Sequence, residues 1–280
     1  FDEGFGCTSI KAIRSYGATA DLCYLLDIAF QDHSINYVFY NLDPSALCAD
    51  PVTTFESTGC PMYLYDDNHL NDIEYLLNKD VLFEKIPYMI AQSLTGDYDE
   101  GNSYNWAQWK SFNEDMILGL YIRKMNIEDM KPENCYRDKL DGNLALLCAE
   151  IEAHPETQFK ISIPPYSMLW WDNIYRNGET ESYLYNMEQA MKKLLAYENV
   201  ELYYFLNDRE IVTNLDNYMD LLHFSPEINQ YICDSMIRND HKVTEANCHE
   251  IIEDSRSLAY QVVNELIKPY EDRIKVDIYD

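Results

Sequence analysis

An aspartate and a histidine stand three residues apart in "NYMDLLHFSPEINQYI" (217–232): Asp220 and His223. An ionised Asp that accepts a hydrogen bond from imidazole Nδ1 leaves Nε2 to take a proton from a hydroxyl. It also stabilises the imidazolium that then forms. In that role the two residues are the acid and base of a nucleophilic triad. The same spacing fits a plainer role, a capping Asp beside a surface His at a helix entrance, with Ser225 as N-cap and Pro226 at the first helical position. Spacing does not choose between them, because "YDDNHL" repeats it with Asp66 and His69. Position does separate the copies. Asp220 and His223 follow the last expected strand and precede the closing helices, whereas Asp66 and His69 fall in a stretch without that setting.

The elements that must position these groups are read from periodicity. "CTSIKAI" (7–13), "INYVFYNL" (35–42), "QFKISIPPYS" (158–167) and "VELYYFLND" (200–208) read as strands, expected over 7–13, 35–41, 158–163 and 200–206. Helical patterns lie between and after them, at 18–31, 181–198, 225–237 and 250–267. Strands alternating with helices predict a parallel sheet covered on both faces, hence an α/β fold of three layers. Residues of about 50–150 break the rhythm and read as a helical insertion within one domain spanning 1–280. In that stretch a helix must kink or end at Pro87. In open α/β sheets function collects at the carboxyl ends of the strands. The loops "RSYGAT", "NLDPS", "PPYSMLWWD" and "NDREIVTNLDNYMDLLH" are therefore expected on one rim.

Composition narrows the chemistry. With 21 basic and 49 acidic residues the formal net charge is −28, which repels nucleic-acid phosphates and anionic headgroups; what charge leaves open is solubility or a cationic partner. The 24 tyrosines and four tryptophans suit sugar or polymer surfaces as well as packing. None of the eight cysteines forms a CxxC or a Cys/His zinc spacing, and Cys48 and Cys60 flank a loop across which they could pair. "GDYDEG" (96–101) lacks the bidentate Glu of a calcium loop and reads as solvated.

The DxxH near the end of an alternating α/β chain resembles the last sequence block of the SGNH (GDSL-type) hydrolases. Together, "YLYDDNHLNDIEYLLNKDVLF", "ISIPPYSMLWWD" and "NLDNYMDLLHFSPEIN" resemble a group of membrane-anchored SGNH-like proteins of Gram-positive bacteria. The resemblance implies a flavodoxin-like, three-layer α/β/α fold. It implies a serine-dependent acyl ester hydrolase or acyltransferase acting on a carbohydrate or cell-envelope polymer, at an extracytoplasmic cell-surface position, with no metal or organic cofactor. Asp220 and His223 match the family's acid and base, and Gly17 matches its oxyanion glycine. Asp43 stands where the family has an asparagine, and an anion is a poor oxyanion donor. Tyr166, Trp170 and Trp171 are the expected pocket wall, although aromatics at this spacing also pack cores. The family's serine block is not found here. The resemblance places it, with the anchor and the central strand, upstream of "FGCTSIKAI", so this chain is expected to be nearly inactive on simple esters. Residues 273–280 could fill the strand gap or form an edge strand, and Ser15 is a second candidate nucleophile. The rival reading is a non-catalytic glycan- or polymer-binding or scaffold module on the same fold.

Overall fold

Three of the four expected strands form: β1 (Tyr37–Asn41), β3 (Gln158–Ile163) and β4 (Val200–Tyr204). They are parallel in the order β1–β3–β4, in a register that sets Tyr40 opposite Ile161 and Ile161 opposite Leu202. The computed structural model describes residues 1–12, 17–53, 61–66, 68–96 and 106–277. Within them the expected strand at 7–13 is corrected: residues 7–12 adopt no regular structure. They leave the short helix α1 (Asp2–Phe5) through left-handed Gly6, and residues 8–12 stay exposed, with Ile10 at 72%. Alternation supplies only a preference for extended backbone; a strand also needs a neighbouring edge to take its hydrogen bonds.

Successive strand residues point to opposite faces, and each face is covered. Val38, Tyr40, Phe159, Ile161, Ile163, Leu202 and Tyr204 join the main core. That core is closed by α2 (Thr19–Asp32), α6 (Arg137–Ala153), α8 (Thr180–Leu194) and α11 (Cys248–Gln261), where α2 packs on α6, α6 on α8 and α8 on α11. On the other face Phe39, Tyr203 and Phe205 meet Phe1, Phe5, and Ile232 and Met236 of α10 (Pro226–Arg238). Helix α1 approaches α10 closely at Gly4, where a Cβ would stand 2.7 Å from Ile237 Cδ1. The result is the expected three-layer α/β arrangement. Lys160 is buried in the second face, paired with Glu201 and lying over the Phe5 ring. Burial opposes the charge on Glu201, but Lys160 and Lys242 overcome it and hold that carboxyl at about 2.

The middle of the chain is helical. It contains α3 (Ile73–Leu76), a π-helical turn Val81–Lys85, α4 (Ile86–Thr95) and α5 (Glu114–Leu120). At Pro87 the helix neither ends nor breaks: the π turn directly before it widens the winding where proline lacks an N–H. Helix α6, which the sequence places in the insertion, packs instead as part of the helical layer. A second small sheet pairs β2 (Ile122–Lys124) with β5 (Lys275–Asp277) in parallel, so that part of the 273–280 stretch joins β2 and not the main sheet, while residues 278–280 lie outside the described ones. Arg123 of β2 ties this sheet to α7 (Met168–Arg176) through buried Asp172. No helix among the described residues is long and apolar enough to cross a membrane.

Candidate active site

The loop after β4 passes through α9 (Arg209–Val212) and folds back on itself between residues 217 and 225. Tyr218 and Phe224 form an antiparallel bridge, Met219 N–H donates to the His223 carbonyl at 3.1 Å, and Ser225 N–H donates to Asn217 at 2.8 Å. At the tip Asp220 Oδ1 accepts the N–H groups of Leu222 (2.9 Å) and His223 (2.8 Å), an Asx turn that a carboxylate two residues ahead of its donor makes readily. The same carboxylate receives the imidazole: His223 Nδ1 lies 2.8 Å from Oδ2 and 3.0 Å from Oδ1. Backbone and ring are thus oriented by one side chain. The hydrogen bond that His223 donates to Asp220 raises the His223 pKa from its ordinary value, against the opposing effect of partial burial. Burial penalises the Asp220 charge, yet the ring and the two backbone donors outweigh it and lower that pKa. The imidazole side chain is 54% exposed. Ser225 is the N-cap of α10 and Pro226 enters its first turn, as the sequence suggests; the Ser225 hydroxyl does not cap the backbone.

A second pair lies on the loops after β1 and β3. Asp43 accepts the N–H of Ser45 at 2.7 Å, and the Tyr166 hydroxyl lies close enough to act on its carboxyl. Burial pushes the Asp43 carboxyl above its ordinary range, and these donors offset only part of that. Burial, and then the adjacent carboxylate, push the Tyr166 hydroxyl upward. The two pairs are joined through the residues that flank Tyr166. The Tyr218 hydroxyl donates to the Pro165 carbonyl at 2.7 Å, and Ser167 donates to the Leu221 carbonyl through both N–H and Oγ at 3.1 Å. Asp43, Tyr166, Asp220 and His223 therefore share the rim at the carboxyl ends of the sheet. Gly17 precedes the first turn of α2, whose Thr19 and Cys23 lie beside the Tyr40 side chain near the end of β1. His69, by contrast, is solvated, its side chain 88% exposed.

Two expected wall residues are placed elsewhere. Trp170 and Trp171 are 3% and 0% exposed, stacked edge to face in the core, with Trp171 Nε1 aimed at the Leu206 carbonyl at 3.4 Å. They follow Tyr166 on α7, and the helix turns both rings inward. Tyr166 is itself 5% exposed, so its ring is packed and does not form an open pocket wall. Ser15, Cys60 and most of the 96–101 loop lie outside the described residues; Cys48 is a buried free thiol. Among the described residues no group of three or more His, Cys, Asp or Glu is arranged to hold a metal ion.

A second constellation at the end of β4 escapes sequence reading. The Tyr231 hydroxyl lies 2.9 Å from Asp208 Oδ2 and 2.8 Å from His241 Nε2. Asp208 belongs to a rim loop visible in the sequence, but its partners come from α10 and from the turn beyond it. The available signal is His241 following Asn239, a pair that both adopt left-handed backbone. Comparison of the chain with protein-family models, with curated proteins and with solved structures finds no match in any of the three.

Proposed function

We propose that this rim is the acyl-transfer site of a serine-dependent ester hydrolase or acyltransferase acting on a carbohydrate or cell-envelope polymer. The supporting observation is the Asp220–His223 pair, held at 2.8 Å in a loop whose backbone the same carboxylate fixes. With Nδ1–H donated to Asp220, Nε2 is the basic nitrogen, and the carboxylate stabilises the imidazolium formed when a serine is deprotonated. That serine is Ser15 or one in a segment preceding this chain. The backbone N–H of Gly17, matched through the resemblance, is the proposed donor for the developing oxyanion.

The test is ester turnover on aryl acetates and on O-acylated glycans. It compares the chain, a version extended by its natural upstream segment, and the His223→Ala and Ser15→Ala variants of whichever turns over. A working triad loses about three or more orders of magnitude in kcat when the imidazole is removed. Loss on Ser15→Ala identifies the nucleophile in this chain; activity gained only on extension places it upstream. Turnover indifferent to His223→Ala, or inert protein in both lengths, gives way to the rival reading of a glycan- or polymer-binding module.

A further inference from the structure

Residues 73–95 form a surface of another kind. Neither α3, the Val81–Lys85 turn nor α4 buries a single residue. Leu76 is 55% exposed, Leu77 65%, Phe83 78%, Tyr88 63%, Ile90 55% and Leu94 83%. Helix α4, "IPYMIAQSLT", contains no charged residue at all. With side chains of roughly 200 Å² each, the exposed apolar area of this stretch is on the order of 1,000 Å². Tyr88 lies on the other side of α4 from Ile90, but Phe83, Ile90 and Leu94 recur at seven- and four-residue spacing along one side, and monomers rarely expose apolar patches above a few hundred Å². The charges around the patch are mainly of one sign. Asp66, Glu74, Asp80 and Glu84 are exposed and Asp72 half-buried, against Lys79 and Lys85, in a chain of net charge −28.

We propose that this face docks an amphipathic helix whose apolar side is bordered by Lys or Arg. Apolar contact supplies the area, and the flanking carboxylates supply sign. Asp80 and Glu84 stand one turn apart, where a basic residue beside the docked face meets them. The alternatives lack that match. A second copy brings another −28 to the contact, and an anionic lipid surface is repelled by the same field. A neutral bilayer gives the carboxylates nothing to pair with.

The experiment is isothermal titration of the full chain with a Leu/Lys amphipathic helical peptide of about 18 residues, enough for five turns. Its controls are a scrambled peptide of the same composition and a Leu/Glu analogue. Binding is expected for the Leu/Lys helix alone, weakening as salt rises. Phe83→Ser with Leu94→Ser, which leaves all charge in place, should weaken it at least tenfold. Asp80→Lys with Glu84→Lys, which leaves the apolar face in place, should weaken it by a similar factor and flatten the salt dependence. Equal binding of the scrambled peptide reduces the effect to net charge and overturns the proposal. So does equal binding of the Leu/Glu helix. Sedimentation that shows a dimer of the chain, lost on Phe83→Ser with Leu94→Ser, assigns the face to a second copy instead. Flotation of the chain with neutral phosphatidylcholine vesicles assigns it to lipid. Because the substituted side chains are exposed, the variants should keep the parent's melting temperature and circular dichroism.

Discussion

Removing the guanidinium of Arg123 is expected to destabilise the protein more than any surface change. Asp172 is fully buried and Arg123 nearly so, their side chains 0% and 9% exposed. The carboxylate accepts Arg123 Nε at 2.8 Å and Nη2 at 2.9 Å, plus the Tyr121 hydroxyl at 2.7 Å, with Arg176 Nε at 3.4 Å. Arg123→Met strands this buried charge. Breaking such a pair from one side costs about 3–5 kcal/mol. Tyr121 and Arg176 remain as partners, so the low end, about 3 kcal/mol, is the expected loss. At the scaling of large domains this lowers Tm by roughly 6–12 °C. The assay is urea unfolding followed by circular dichroism, where Cm falls and the m-value holds. The triple variant Arg123→Met, Asp172→Leu, Tyr121→Phe removes both charges and the orphaned hydroxyl. It should recover to within about 2 kcal/mol of the parent, because apolar replacements of a buried pair are often nearly neutral. A single-variant cost below about 1 kcal/mol, or a triple variant worse than the single, would falsify the claim that Asp172 is a desolvated charge held by Arg123.

Glu150 on α6 is pushed up to about 7, by burial first and then by Asp27 across from it on α2. A carboxyl raised in the fold stabilises below its unfolded pKa, and that stability is lost as pH rises through the folded value. Glu150→Gln should therefore flatten the decline in unfolding free energy between about pH 4.5 and 7; an unchanged slope counts against it. The His223 pKa is raised by Asp220, so the pair's contribution is present below the unfolded value near 6.5 and fades as pH rises past the folded one. With His223 half exposed the gain is at most about 1 kcal/mol. In Asp220→Asn the NMR titration midpoint of the His223 ring should move down, and a midpoint that stays or rises contradicts the pairing. Gly178→Ala should cost about 2 kcal/mol or more in unfolding free energy, since φ is +65° and a Cβ would stand 2.2 Å from the Asp129 carbonyl oxygen. In thiol mapping by mass spectrometry, exposed Cys135 should react in the folded state. Cys23 and Cys48, both buried and pushed up to about 12, should react only on unfolding.

The three sheet strands are legible because each is an apolar, β-branched or aromatic run bounded by polar turns, and both of its faces need cover. "CTSIKAI" has the same local character, but whether such a run pairs depends on an edge that the run does not encode. The three residues of β2, "IRK", are too short and too charged to register as a strand. Asp220 and His223 are legible because three residues of spacing suffice to bring them together within one loop. Tyr166 meeting Asp43 follows from both lying after sheet strands. The partners of Asp172 and of His241 are not legible. Arg123 is 49 residues from Asp172, and nothing local to either side chain announces the other. The tryptophans after Tyr166 show the opposite failure: residue type suggested a ligand surface, while the turn of α7 faces both rings inward.

The order β1–β3–β4 also governs how the chain must fold in time. β3 and β4 are joined by a short passage through α7 and α8, whereas β1 pairs with β3 across more than a hundred residues that include the exposed apolar helices. Closing the larger loop costs more chain entropy and returns its strand contacts only at the end. The unit from Gln158 to Tyr204 is thus placed to form early, with docking of β1 and α2 as the slow step. Until that step is complete Phe159 and Ile161 lack their β1 neighbours.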